Sequence, residues 1–444
     1  ISNSSHDRTR NIKIKIMLNF INKKILIYGL GISGISSFKF LKNKNFVKLF
    51  DDNQKKTYKL NKKNIINKKR ILLNNFDYIL LSPGINLANC SLKNYLIKNK
   101  DKIITDLDVF YSCYKNNKKI TITGTNGKST TAKLTYDIFK KLNYDVRLIG
   151  NIGKPSLSEK KIKAKTIFII EASSYQLEYS KYFISDISVI TNISPDHLER
   201  HGTFSKYINS KFKLIKAQNS NGISIIGKNN NRVEKLISNN NIKGKIIKIR
   251  NNLNPKIFNK IKNPYFKINN NLQNLSFAIE ISKLFKIKFG KIVNVVNNFN
   301  PLKYRQEIKI NNNKIIVIND SKSTSFSSSI PLLENYKNIY WIVGGTPKKG
   351  DKFSLKKKFF KNIKAYIIGK YPDFFKKKLK SKIYYKESKT IKNALINIIN
   401  DSKNNKFKTI IFSPAAASFD QFLNFEDRGY KFDIAIKKFI KNDI

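Results

Sequence analysis

Cysteine, methionine, tryptophan and acidic residues are all scarce in this 444-residue chain, which has two Cys, one Met, one Trp and 29 Asp and Glu against 87 Lys and Arg. The two cysteines, Cys90 and Cys113, form no metal-ligand spacing. They are expected to be reduced, buried thiols rather than a disulfide, as suits a cytoplasmic protein. No apolar run reaches the roughly 18–20 residues that cross a bilayer, so no membrane span is expected. The opening stretch ISNSSHDRTRNIKIKIM has basic residues but no continuous apolar core, which argues against a signal peptide. The single methionine, Met17, stands a few residues before the first strand-like run. Residues 1–16 are therefore expected to be upstream translation or a disordered extension.

The shortage of acidic residues leaves a formal charge of +58. One reading of that charge is a nucleic-acid binder. The other is a compositional bias of AT-rich coding, since Lys, Asn and Ile abound throughout while Ala, Gly and Arg are few. The lysines form no single basic arm, and the stretch Asn221–Asn271 shows the same bias laid over short apolar segments. This distribution favours bias, with no nucleic-acid partner.

The length predicts two or three domains, and a 41% hydrophobic content is enough for several cores. In the first segment, strand-like runs at Ile25–Tyr28, Val47–Phe50 and Tyr78–Leu81 alternate with helical stretches, a βαβ pattern that predicts a parallel sheet. Gly29, Gly31 and Gly34 match G-x-G-x-x-G between a strand and a helix, and Asp51 follows about 20 residues later. Such a turn brings a helix N-terminus up to an anionic diphosphate. On these residues alone, a redox dinucleotide and any other diphosphate remain open.

The second segment opens with ITITGTNGKSTT at residues 120–131. Ile120 and Ile122 alternate as in a strand, and Leu134, Ile138 and Leu142 recur at helical spacing. Between them, the backbone N–H groups of a glycine-rich loop can surround phosphate oxygens. Lys128 can neutralise their charge, and Ser129 can bind Mg²⁺. The loop is shorter than G-x-x-x-x-G-K-[ST], because only Thr125 and Asn126 separate Gly124 from Gly127. Two further strands end in chemistry. Ile167–Ile170 leads into Glu171, and Ile187–Ile190 leads into Thr191 and then His197, one of three histidines. An acid at the end of a buried strand beside a phosphate loop is a plausible metal ligand.

The third segment begins near Pro301 and has strands at Ile315–Ile318, Tyr340–Val343, Tyr366–Ile368 and Ile410–Phe412. Each runs into a polar or glycine-rich turn, which predicts another α/β domain with its loops gathered at one sheet edge. Lys322 and Lys348 lie in two of these turns. In so lysine-rich a chain, neither is distinctive by itself.

Taken in order, the motifs GLGISG, SPG (82–84), GTNGKSTT, GNIGKP (150–155), EASSYQLE (171–178), TNISPDHLERHG (191–202), NNNLQN (269–274), NDSKSTS (319–325) and SPAAASFDQFLNFEDRG (413–429) resemble the Mur ligase family from about residue 20 to the C-terminus. The phosphate loop and the Asp-His pair are common to that family and folylpolyglutamate synthase. The NDSK motif and the ending around SFDQF and NFEDRG point to the branch that adds D-glutamate to UDP-N-acetylmuramoyl-L-alanine. The resemblance implies an α/β protein of three domains: a Rossmann-like UDP-sugar domain at 17–107, a central P-loop ATP domain with a parallel sheet at 108–301, and a Rossmann-like C-terminal amino-acid domain at 302–444. It implies ATP, Mg²⁺, a monomer and no redox cofactor, and it explains the short phosphate loop as the family's own variant.

The resemblance also implies roles. Gly124, Thr125, Asn126, Gly127, Lys128, Ser129 and Thr130 would hold ATP phosphates, and Asn271, Asn274, Arg305 and Asp320 would contact the nucleotide. Ser129, Glu171, His197 and Lys211, the last as a carbamate, would hold Mg²⁺. Asn151 would lie near the substrate carboxylate and Lys322 near the reacting phosphates. Thr324, Lys348, Ser418 and Phe425 would form the D-glutamate pocket, and Ile32, Ser33, Asp51, Ser82, Pro83 and Gly84 would take the UDP-sugar. The chain departs from the family pattern at Ala172, at Tyr304 and at Asp52-Asn53, and it offers Lys349 beside Lys348. The competing readings are a ligase for another amino acid, a redox enzyme, a nucleic-acid binder and a decayed ligase. The last should have lost Lys128, Glu171, His197 and Lys322 first, yet all four are present.

Overall fold

The computed structural model describes residues 18–443, apart from 58–59, 228–230, 250–252, 349 and 404. The expected extension at residues 1–16 and the alternative lysine, Lys349, lie outside the described residues. The chain divides into two compact units. The first runs to Asn116 and adds Ser156–Ser158 and Tyr179–Phe183, and the second holds the remainder.

In the first unit, β1 (Lys24–Tyr28), β2 (Phe46–Phe50), β3 (Tyr78–Leu81) and β4 (Ile103–Ile104) form a parallel sheet in the order β2-β1-β3-β4. Leu26, Tyr28, Ile79 and Leu81 are packed with Ile71, Leu96 and Ile103 in one core. Strand order reverses between β1 and β3, so the loops after these two strands are neighbours. The Ser82 hydroxyl donates to the Gly29 carbonyl at 2.6 Å. A Cβ on Gly34 would lie 1.9 Å from that same carbonyl, so only glycine lets the helix Ile32–Leu41 approach. A buried carboxylate ties Tyr179–Phe183 into this unit. Asp108 Oδ1 accepts from the Ser180 hydroxyl and from the backbone N–H groups of Lys181, Tyr182 and Phe183 at 2.7–3.1 Å. Cys113 is exposed and Cys90 half-buried, and both are free, so the expectation of two buried thiols fails on burial. Cys113 ends the helix Asp106–Cys113, where its position needs no core contact.

The second unit contains two sheets. The central one comprises β5 (Lys118–Thr123), β6 (Val146–Gly150), β7 (Ile167–Glu171), β8 (Ile187–Ile190), β9 (Ile223–Gly227) and β10 (Lys245–Ile249). All are parallel, in the order β10-β9-β8-β5-β7-β6. Strands such as IFIIE in β7 are buried along their whole length, as parallel strands covered on both faces must be. The helix Lys128–Lys141 buries Leu134, Ile138 and Phe139 in a core shared with Leu275, Phe277 and Ile281 of the helix Asn269–Leu284. The sheet order reverses at β5 and β8, so the loops after these two strands are neighbours.

The other sheet comprises β11 (Glu307–Asn311), β12 (Ile315–Asn319), β13 (Ile339–Gly344), β14 (Ile363–Ile368), β15 (Tyr384–Lys389) and β16 (Lys408–Phe412), in the order β11-β12-β16-β13-β14-β15. Only β11 is antiparallel. Side chains alternate along β13: Trp341 and Val343 pack with Phe326 and Phe375, while Tyr340 and Ile342 pack with Phe412 and Phe432 on the other face. Because β16 lies between β12 and β13, the turns after these three strands sit side by side.

Candidate active site

The loop after β5 is shaped by two glycines with positive φ, Gly124 at 143° and Gly127 at 82°. Side chains there would clash: a Cβ on Gly124 would lie 2.0 Å from Thr191 Oγ1, and one on Gly127 would lie 2.2 Å from Asn274 Oδ1. Gly127 caps the helix Lys128–Lys141, whose first N–H groups then face the loop. The turn after β8 holds the loop from the other side. Asn192 accepts from Thr125 N through its carbonyl at 2.8 Å and from Asn126 N through its side chain at 2.9 Å. Thr191 donates to the Asn126 carbonyl at 2.6 Å, and Thr125 Oγ1 lies 2.9 Å from the Tyr207 hydroxyl. Lys128 Nζ donates to the Thr125 carbonyl at 2.6 Å, folded back over its own loop. Burial lowers its pKa, against the pull of Glu171 and Asp196.

Glu171 ends β7 and is 1% exposed. Its Oε1 accepts from Asn151 Nδ2 at 2.9 Å, while Oε2 is buried with no hydrogen-bond partner. An unpartnered buried carboxylate oxygen is costly and marks a place for a cation. No cluster of three or more His, Cys, Asp and Glu among the described residues could hold a metal. Mg²⁺ does not need one, because one or two carboxylates, phosphate oxygens and water complete its shell. Glu171 and the buried Ser129 hydroxyl fit that requirement.

His197 has left-handed backbone, φ 54°, and its Nδ1 lies 2.9 Å from the Tyr175 hydroxyl. Burial lowers its pKa against the opposing pull of Asp196, which favours the neutral ring that a metal ligand requires. Lys211, on the helix Phe204–Lys216, is 2% exposed. Its Nζ donates to the Gly124 carbonyl at 2.8 Å and lies 4.8 Å from the Tyr207 ring centre. Burial, followed by the charge of Lys128, lowers its pKa well below the ordinary lysine range.

Asn271, Asn274 and Asp320 lie in one polar network. Asn274 Oδ1 accepts from Thr131 at 3.3 Å and its amide donates to Asn271 Oδ1 at 3.3 Å. Asn271 donates to Gln306 Oε1 at 2.7 Å, and Gln306 N donates to Asp320 Oδ1 at 3.0 Å. Asp320 Oδ2 accepts from Ser413 at 2.8 Å. Burial raises the Asp320 pKa to about 7, partly offset by those hydrogen bonds and by Arg305. Lys322 Nζ sits 3.8 Å from the Phe425 ring centre, and burial with Arg305 nearby lowers its pKa to about 8. The charge of Arg305 therefore acts on both Asp320 and Lys322.

The expected D-glutamate residues are distributed over three adjacent turns: Thr324 after β12, Lys348 after β13, Ser418 and Phe425 after β16. Lys348 Nζ donates to Asp196 Oδ1 at 2.6 Å, so it is paired across to the turn after β8. Sequence reasoning gave no role to Tyr175, Tyr207, Gln306 and Arg428, and it noted Asp196 only as the partner of His197 in the Asp-His pair. Arg428 is fully buried; it donates to Ser321 Oγ and to the Ser321 and Ala416 carbonyls at 2.7–3.1 Å, while Nη1 has no partner. Its signal was compositional, since the chain has only nine arginines. Arg200 and Arg428 stand in the quoted motifs.

In the first unit, Asp51 is occupied by its own loops. Its Oδ2 accepts from Leu30 N at 2.7 Å and Lys56 Nζ at 3.2 Å, and its Oδ1 from Asn53 N at 2.9 Å. Asp52, which departs from the family pattern, binds the Tyr28 and Ser91 hydroxyls. Ile32 and Gly84 are exposed, Ser33 and Pro83 half-exposed, and Ser82 and Asp51 buried.

Residues 122–289 match the Mur ligase middle domain, and residues 23–104 match the Mur ligase MurD-like N-terminal domain. A protein of Rickettsia felis named UDP-N-acetylmuramoylalanine--D-glutamate ligase is 32% identical, over 94% of this chain and 97% of that protein. A protein of the same name from Francisella tularensis is 32% identical, over 92% of this chain and 94% of that protein. Among solved structures, a MurF ligase from Thermotoga maritima, determined in complex with ADP, superposes with a TM-score of 0.56 at 15% identity, covering 83% of this chain and 91% of that one. A UDP-N-acetylmuramate-alanine ligase, MurC, from the same organism gives a TM-score of 0.54 at 16% identity, covering 94% of this chain and all of that one. These two show a shared fold.

Proposed function

Since the chain belongs to the Mur ligase family, we propose that it joins D-glutamate to UDP-N-acetylmuramoyl-L-alanine at the expense of ATP, in the cytoplasmic stage of peptidoglycan synthesis. The observation that carries this reading is the glycine-formed phosphate cradle beside Glu171, whose buried Oε2 lacks a partner. No helix among the described residues is long and apolar enough to cross a membrane. We take the enzyme to be a monomer with the domain roles 17–107 for the UDP-sugar, 108–301 for ATP and 302–444 for the amino acid.

A carboxylate resists attack by an amine because of its charge and resonance. Its oxygen therefore first attacks the γ-phosphorus of ATP, and ADP leaves. The resulting acyl phosphate carries a good leaving group. The amine of D-glutamate attacks its carbonyl carbon, phosphate departs and the nitrogen loses a proton. Positioning and charge neutralisation do most of the work in such a reaction. The N–H groups at the start of the helix Lys128–Lys141, with the ammonium of Lys128, hold the phosphates, while the bonds from Thr125 N and Asn126 N to Asn192 keep the loop in shape. Lys322 and Arg305 offset the charge that builds on the transferring group. Asn271 and Asn274 fix the nucleotide, and Asn151 orients Glu171 beside the substrate carboxylate.

Ser129, Glu171 and His197 would hold Mg²⁺, which supplies charge neutralisation at the phosphates when bound. The burial of Lys211 supports its carbamylation. A neutral amine attacks CO2 and loses a proton, and the anion produced would sit beside the phosphate loop. Lys348, Thr324, Ser418 and Phe425 would receive D-glutamate, where a lysine suits a substrate with two carboxylates.

The test is phosphate release from ATP and Mg²⁺ with UDP-N-acetylmuramoyl-L-alanine, comparing D-glutamate with L-glutamate, L-alanine and meso-diaminopimelate. Release with D-glutamate alone, with one glutamyl residue added to the nucleotide sugar, is the expected result. Release with another amino acid would keep the ligase chemistry and overturn the substrate.

A further inference from the structure

The ion pair between Lys348 and Asp196 joins residues 152 positions apart, one in the turn after β13 and one in the turn after β8. It is largely shielded, with side chains 23% and 15% exposed. The same Asp196 Oδ1 accepts its neighbour's backbone N–H, from His197, at 3.0 Å. Burial would raise the Asp196 pKa, but Lys348 and His197 outweigh it and leave the carboxylate below its ordinary value. The two turns also meet at Gly350, where an added Cβ would touch Leu198 Cδ1 at 4.0 Å.

Lysine has three N–H donors, and one of them goes to Asp196. Two remain for a second anion, so the ammonium can hold Asp196 and a substrate carboxylate together. Without Asp196 the long lysine side chain would sample many rotamers, and the arriving amino acid would bear the cost of fixing it. We propose that Asp196 is a positioning residue for the acidic amino acid: through Lys348 it clasps the turn after β13 to the turn after β8 and presents the ammonium, already oriented, beside the acyl-phosphate site. This rests on the reading of Lys348 as the amino-acid cation.

The test is a double-mutant cycle on the full chain, reading KM for D-glutamate, KM for ATP and kcat separately. Asp196→Asn should raise KM for D-glutamate by about tenfold, the size expected for losing one charged contact, and move KM for ATP much less. Asp196→Glu, which keeps the charge, should recover most of that loss and also guards against a folding failure in the first variant. Lys348→Ala should raise KM further, and adding Asp196→Asn to it should change nothing more. The inference is overturned if Asp196→Asn lowers kcat at constant KM, if it tightens D-glutamate binding, or if its full effect persists in the Lys348→Ala background. A Lys348→Ala variant with unchanged KM for D-glutamate would instead remove the underlying reading of Lys348.

Discussion

The turns of the central sheet and those of the C-terminal sheet hold their candidate site groups by different means. After β5 the device is backbone: Gly124 and Gly127 turn the chain where a Cβ would collide, and the helix that follows exposes its N–H groups. After β12, β13 and β16 the device is side chains, with Lys322 on the Phe425 ring, Lys348 on Asp196 and Arg428 on Ser321. A backbone device needs fixed residue types at fixed spacing, so it is written in one short string. A side-chain device needs only that distant residues converge, and its cations look like any other in a lysine-rich chain.

The contrast predicts that damage to the central half removes all chemistry. Glu171→Ala and Lys128→Ala should each lower turnover by about 10³-fold or more while the chain still folds, judged by phosphate release and circular dichroism. Near-normal turnover in either variant would break the metal–phosphate assignment. Under the proposed role of Lys322 beside the transferring phosphoryl group, Lys322→Ala should cost about 10²-fold in kcat. In the free enzyme the ammonium should be lost as pH rises through about 8, so kcat/KM should fall there in the parent and not in Lys322→Ala.

Smaller effects should follow at the nucleotide edge. Asn274→Ala removes one link of the network through Asn271 and Gln306 and should raise KM for ATP by about tenfold with little change in kcat. Asp320 should be felt in stability. Its folded pKa, about 7, lies above its ordinary 3.8, so the folded state keeps a proton that the unfolded chain loses between those values. The associated stability is complete below pH 4 and declines as pH rises towards 7. Asp320→Asn does not titrate, so its Tm relative to the parent should increase from pH 4 to pH 8. A constant difference would contradict the assignment.

The comparison also explains what could be read in advance. Strands such as IFIIE and IYWIVG are apolar runs ending at polar turns, so their existence followed from pattern, as did the parallel sheet of the first segment. The edge strand β11 did not, because its residues are half-exposed and its antiparallel pairing depends on where β12 lies. GTNGKST was legible as a turn between a strand and a helix because its two glycines and the helix start lie in one short string. The contacts of Asp196, Tyr207 and Gln306 were not legible, because each acts on a residue at least 35 positions away: Asp196 on Lys348, Tyr207 on Thr125 and Gln306 on Asn271. Cys113 shows the converse limit, since no pattern in the sequence told an exposed thiol from a buried one.

The most direct test of this division is to trap the acyl phosphate. ATP and UDP-N-acetylmuramoyl-L-alanine are incubated with enzyme in the absence of amino acid, and borohydride reduces the mixed anhydride to an alcohol that mass spectrometry detects. The account predicts the alcohol in the parent and in Lys348→Ala, and none in Glu171→Ala. Loss of the alcohol in Lys348→Ala, or its survival in Glu171→Ala, would contradict a site in which Glu171 is needed to activate the carboxylate and Lys348 only to receive the amino acid.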